Sequence, residues 1–117
     1  MTYRIDLSEA AEAEAFAAYL WISRRSPEFA GRWYNGLLKA IEDLVLFPRS
    51  WQAAPEYGPN VRRMLYGTGG NRYRVLYLII EPEEGQEEGI IRILHIYHGA
   101  RQVGGQGKDE DERNEQP

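Results

Sequence analysis

At 117 residues, with 43% hydrophobic and 27% charged residues, the chain has the size and balance of one globular domain, not of a disordered, collagenous or membrane protein. The absence of cysteine excludes disulfides and thiolate metal centres, and His95 and His98 are the only imidazoles, so neither a metal nor another cofactor is expected. The formal net charge of −4 opposes a general affinity for phosphate, but it is unevenly spread: Asp109, Glu110, Asp111, Glu112 and Glu115 against Lys108 and Arg113 leave residues 103–117 at −3 and residues 1–102 at −1.

The first residues lack the apolar stretch of a signal peptide, and nowhere do about 18 uncharged apolar residues run together, so a cytoplasmic protein without a membrane partner is expected. Thr2 to Leu7 alternates Tyr3, Ile5 and Leu7 with Arg4 and Asp6, which predicts a short half-buried strand. Ser8 fits a helix N-cap, with Glu9 and Glu12 in the first turn at the positive end of the helix dipole. A helix over about 9–25 follows, favoured by six alanines between 10 and 18, with Phe16, Tyr19, Leu20 and Ile22 as its larger apolar anchors. Ser26-Pro27 starts a second helix, in which Ala30, Trp33, Leu37, Ile41 and Leu44 recur at steps of three or four until Pro48 ends it. So short a link requires a helical hairpin, and the alanines of its first arm allow a close approach.

Residues 49–60 hold two prolines and a glycine and read as a crossing loop. The period then changes to two. Val61 to Tyr66, Arg72 to Ile80 and Ile90 to His98 are strands, joined by turns at 67–71 and 81–89, and three strands in series imply an antiparallel meander. The predicted class is α+β: a small antiparallel sheet packed against an N-terminal helical hairpin, in the order β-α-α-β-β-β. Residues 1–102 form that domain. Beyond them, three glycines and a charged, apolar-poor remainder predict a disordered acidic tail over 103–117.

Twelve of the fourteen cations are arginine, and Arg62, Arg63, Arg72, Arg74, Arg92 and Arg101 lie between 61 and 101, a composition suited to planar, bidentate contacts. Five glutamates between 81 and 88 cluster at a separate turn, so a basic face with an acidic hairpin tip is expected. Arg62 and Arg63 are neighbours in a strand and must leave opposite faces, so one of them joins any given patch.

The order of elements, the helix end Leu44-Val-Leu-Phe-Pro48, the Val61-Arg62-Arg63 strand, Tyr73-Arg74-Val75-Leu76-Tyr77, and Ile93 through His98-Gly-Ala-Arg101 together resemble the RelE/ParE toxin superfamily over roughly residues 2–102. The resemblance implies the toxin of a type II toxin-antitoxin pair, held inactive by a cognate antitoxin. A short meander leaves a strand edge unpaired, so the chain free of its antitoxin is expected to self-associate, as a homodimer. Two mechanisms are implied. A RelE-like toxin is a metal-independent endonuclease of messenger RNA on the ribosome; Arg74 and Arg101 would then hold the scissile phosphate, Arg62 or Arg63 would add positive charge, and His98 would be the acid or base, since imidazole titrates near neutral pH. A ParE-like toxin inhibits DNA gyrase by binding, with Arg62, Arg63, Arg74 and Arg101 as contact residues. The strand from 61 to 66 lacks a lysine and no tyrosine follows Arg101, both departures from the RelE pattern, while the long helical hairpin is closer to ParE-like members. The ParE-like reading is therefore favoured. A module that keeps the fold without toxicity is the remaining alternative.

Overall fold

The structure is a computed structural model that describes residues 2–99. The chain runs β1 (Thr2–Leu7), α1 (Glu9–Ser23), α2 (Pro27–Glu42), a single tight turn Asp43–Val45, β2 (Gln52–Ala53), β3 (Val61–Tyr66), β4 (Tyr73–Ile80) and β5 (Glu88–His98). Both predicted caps are in place. Ser8 is extended and its side chain accepts from the Ala11 N–H at 3.0 Å, and Ser26 accepts from Phe29 N–H at 3.2 Å with Pro27 beginning α2. Each cap satisfies a backbone donor that the first helical turn leaves unpaired.

The stripe Ala30, Trp33, Leu37, Ile41 and Leu44 is buried as its spacing predicts. In α1 the buried face is Ala11, Ala15, Ala18 and Ile22, whereas Phe16 and Leu20, expected as anchors, point to solvent. Small side chains win that face because a helix seated closely on the sheet leaves no volume for larger ones; Trp33 and the isoleucines of β5 fill the space instead.

The sheet has five strands in the order β1-β5-β4-β3-β2. The expected meander is present in β3, β4 and β5, but the sheet is mixed, because β1 lies parallel to β5 from Thr2 opposite Glu88 to Leu7 opposite Ile93. The helical hairpin acts as a crossover between β1 and β3, so that β1, β3 and β5 run in one direction. Within the predicted loop, Gln52 and Ala53 make a two-residue strand against Arg63 and Arg62.

Side chains alternate between two faces. Tyr73, Val75, Tyr77 and Ile79 of β4 join the main core under the helices, and Leu76 joins a second cluster with Ala54, Val61 and Tyr97 on the outer face. The pairing of β4 with β5 shifts between Leu76 and Tyr77, leaving Leu94 as the extra residue of a bulge. Ile91 and Ile93 lie under the helices before the bulge, and strict alternation would put Tyr97 there too. The bulge instead sends Ile96 to the helix side opposite Val75, and Tyr97 to the outer face opposite Arg74. Past Leu7, where β1 stops, α1 serves the edge of β5: Ser8 Oγ donates to the Leu94 carbonyl at 2.9 Å, and the Glu14 carboxylate accepts from Ile96 N–H at 2.8 Å. Among the described residues no helix is long and apolar enough to cross a membrane.

Candidate functional site

Arg63 on β3, Arg74 on β4 and Tyr97 on β5 stand on the outer face of the sheet, near the end where β4 begins. Arg63 is paired with Leu76, and Arg74 lies between Leu65 and Tyr97. The Arg63 side chain is 18% exposed; its guanidinium donates to Glu56 at 2.7 Å and lies 5.9 Å from the centre of the Tyr57 ring. Burial alone would lower its pKa; the hydrogen bond to Glu56 and the interaction with Tyr97 outweigh that and hold it above the ordinary arginine value. Its Nε is buried and has no hydrogen-bond partner in the structure. Arg74 is half-buried, and its Nε lies 4.0 Å from where a Cβ on Gly99 would stand, so the chain leaves the sheet directly beside this guanidinium.

Arg62 takes the other face, as its neighbour's placement requires. Its Nη1 donates to the carbonyls of Trp51 at 2.6 Å and Arg49 at 3.2 Å, which ties the segment after α2 to the sheet. His98 is also on the helix side. Its ring meets Tyr73 edge-on at 5.1 Å, and its Nε2 lies 2.7 Å from the Gly70 carbonyl, an acceptor that requires Nε2 to carry the proton. His95 Nδ1 is 3.0 Å from the Glu14 carboxylate. Arg101 lies outside the described residues. The structure thus brings Arg63 and Arg74 to one face and places Arg62 and the His98 ring on the other.

That arrangement keeps the His98 imidazole apart from the two outer-face arginines. A general acid or base must reach the proton it moves within hydrogen-bond distance; the His98 ring is engaged on the face opposite Arg63 and Arg74, whereas His95, opposite Leu76 on the outer side of β5, is engaged by the Glu14 carboxylate. Two guanidiniums beside Tyr57, Tyr97 and the exposed Leu65 form a mixed cationic and aromatic surface, the composition that anchors macromolecular contacts. Tyr57, Tyr97 and Glu56 were not singled out from sequence. Tyr97 is assigned to its face by the bulge, which no local pattern announces, and the Glu56–Arg63 pair depends on how the loop after α2 folds back.

The acidic turn is at the far end of the sheet, past the end of β4. It is partly neutralised: Arg49 pairs with Glu81, Arg4 with Glu88 at 3.7 Å, and Tyr3 donates to Glu81 at 3.0 Å. The hydrogen bond from Arg49 holds the Glu81 carboxyl below its usual range. Arginine face and acidic tip are therefore separated along the strands, as the sequence suggests.

The model of one protein family, the ParE toxin of the type II toxin-antitoxin system parDE, matches residues 5–103. No curated protein matches the chain. Among solved structures the chain is similar to one from the chromosomal ParDE toxin-antitoxin system of P. aeruginosa, with a TM-score of 0.61 and 16% identity over 83% of this chain and 96% of that one, a likeness of fold. With the end of β1 from Ile5, the hairpin and the meander inside the matched span, the chain belongs to the ParE toxin family of type II toxin-antitoxin systems.

Proposed function

We propose that this toxin acts by binding DNA gyrase, without chemistry of its own, and that the outer sheet face around Arg63, Arg74 and Tyr97 is the contact surface, with Arg101, outside the described residues, as a further contact residue. Its setting is the cytoplasm, where a cognate antitoxin occupies the same face or the adjoining sheet edge until it is removed. The observation that carries this reading is the division across the sheet: the His98 Nε2–H is given to the Gly70 carbonyl on the helix side, while Arg74 stands on the outer face. A ribonuclease built on Arg74, Arg101 and His98 needs those groups around one phosphate, within reach of one proton. An open edge supports the antitoxin role, since β1 pairs with β5 on one side alone and an extended segment can add to the other.

The test runs two assays in parallel on the purified chain, gyrase supercoiling and ribosome-dependent cleavage of a messenger RNA. The expected result is loss of supercoiling with intact message. Arg74→Ala should weaken inhibition by about tenfold or more, the usual loss when a desolvated interfacial arginine is truncated. His98→Gln, which keeps a donor for Gly70, should inhibit like the parent. Message cleavage that disappears in Arg74→Ala and in His98→Gln would establish the nuclease reading instead, and a chain inert in both assays would be the non-toxic module.

A further inference from the structure

The solvent face of α1 is not that of an ordinary surface helix. Phe16, Leu20 and Trp21 are 55%, 47% and 52% exposed. An acidic start and a basic end are expected from the helix dipole, but the dipole gives no reason for three large apolar side chains in water.

At 100° per residue, Glu9, Ala13, Phe16, Ala17, Leu20 and Arg24 fall in one stripe opposite the buried alanines, and all six are exposed. Read from either end, the stripe is its own complement. We infer that this face is the contact between two copies of the chain, with α1 packed antiparallel against α1 about a two-fold axis through the Phe16–Ala17 peptide.

Turning a second α1 end for end about that point sets Leu20 against Ala13 of the other copy. The two Phe16 rings meet on one flank of the axis and the two Ala17 methyl groups on the other. Each Leu20 thus enters the room left by an Ala13, and the two Phe16 rings pack on each other, which lets the helices approach to about 8–10 Å. The same rotation sets Glu9 against Arg24 of the second copy, twice. Neither has an ion-pair partner within the chain among the described residues; Arg24 instead lies 5.5 Å from the Trp21 ring centre. An isologous contact requires this self-complementarity in charge and in size. A second copy satisfies both at once, whereas an unrelated acidic or basic helix would leave one end of the stripe opposed by like charge.

The face lies on the helices' solvent side and not on the arginine surface, so the inference does not depend on the gyrase reading. One pair of 15-residue helices buries less than a standard interface, and the dimer is expected to be weak, with Kd on the order of 10 µM.

Sedimentation equilibrium of the full chain across that range, repeated on surface variants checked for fold by circular dichroism, tests it. Glu9→Arg places arginine opposite arginine, and Arg24→Glu places glutamate opposite glutamate. Each alone should weaken the dimer by about tenfold, and an equimolar mixture should recover it, because the mixed dimer has opposite charges at both ends. Leu20→Glu should be monomeric throughout. Single charge variants that dimerise like the parent would overturn the proposal, and so would a monomeric parent chain whose Leu20→Glu variant loses its antitoxin instead, which would give this face to the antitoxin.

Discussion

Tyr77 shows how a single buried hydroxyl fixes the route of the chain. It stands in the central strand, fully buried, and its hydroxyl donates to the Pro48 carbonyl at 2.6 Å, where the helical layer hands over to the sheet. Burial pushes its pKa up to about 12, against the opposing pull of the Arg62 and Arg49 charges. An unfolded tyrosine ionises near pH 10. The folded state therefore keeps its proton where the unfolded state has lost it, so the stability is fully present below about pH 10 and is lost as pH rises from there through 12. A shift of that size corresponds to about 2–3 kcal/mol of stability lost across the window. Denaturant unfolding at a series of pH values should show the decline in the parent chain and a much flatter profile in Tyr77→Phe, which is itself less stable at neutral pH by about 1–2 kcal/mol because the Pro48 carbonyl loses its donor. Equal slopes in the two proteins would remove Tyr77 as the source.

At the scale of elements, α2 was legible and α1 half so. The α2 stripe combines regular spacing with large residues, which is the pattern burial selects. In α1, size misleads: alanines take the core face because the helix sits close to the sheet, and the largest residues are left in water. The bulge in β5 was not legible, since it is set by pairing with β4 and not by any residue within β5, and it decides which side of the sheet Tyr97 and His98 face. Gly36 is another position whose reason lies across the fold. A Cβ there would come within 2.2 Å of the Tyr66 hydroxyl, which donates to the Trp33 carbonyl at 2.9 Å while its ring meets Trp33 edge-on. Helix propensity alone predicts that Gly36→Ala stabilises by up to about 1 kcal/mol. Displacing Tyr66 costs its hydrogen bond and part of its packing, so a net loss of about 1–2 kcal/mol is expected. In a Tyr66→Phe background the hydroxyl is gone and the same substitution should be neutral or stabilising. A double-mutant cycle by urea unfolding measures the coupling, and additive effects would show that Tyr66 is not what keeps position 36 a glycine.

For the molecule as a whole, the order β-α-α-β-β-β followed from changes of period and from punctuation by proline and glycine, while the direction of β1 did not. Alternation within Thr2 to Leu7 states that a strand has two faces; it carries no information about which neighbour it pairs with or in which sense. The site was legible to a similar extent: the arginines were visible, but their division between faces needed the register that sets Arg63 opposite Leu76 and Arg74 opposite Tyr97. Both hydrophobic clusters are drawn wholly from residues between Tyr3 and Tyr97, and the family match ends at residue 103. Folding free energy resides in the burial of such clusters, so a chain ending at Val103 should retain it. It would also lose most of the protein's negative charge, since residues 104–117 carry a net of −3 out of −4. Calorimetry should place its unfolding within about 2 °C of the full chain, a shift smaller than 1 kcal/mol produces in a domain of this size. A fall of more than about 5 °C would mean that the acidic segment packs on the domain, and at that point its carboxylates become the first candidates for occupying the arginine face in the absence of an antitoxin.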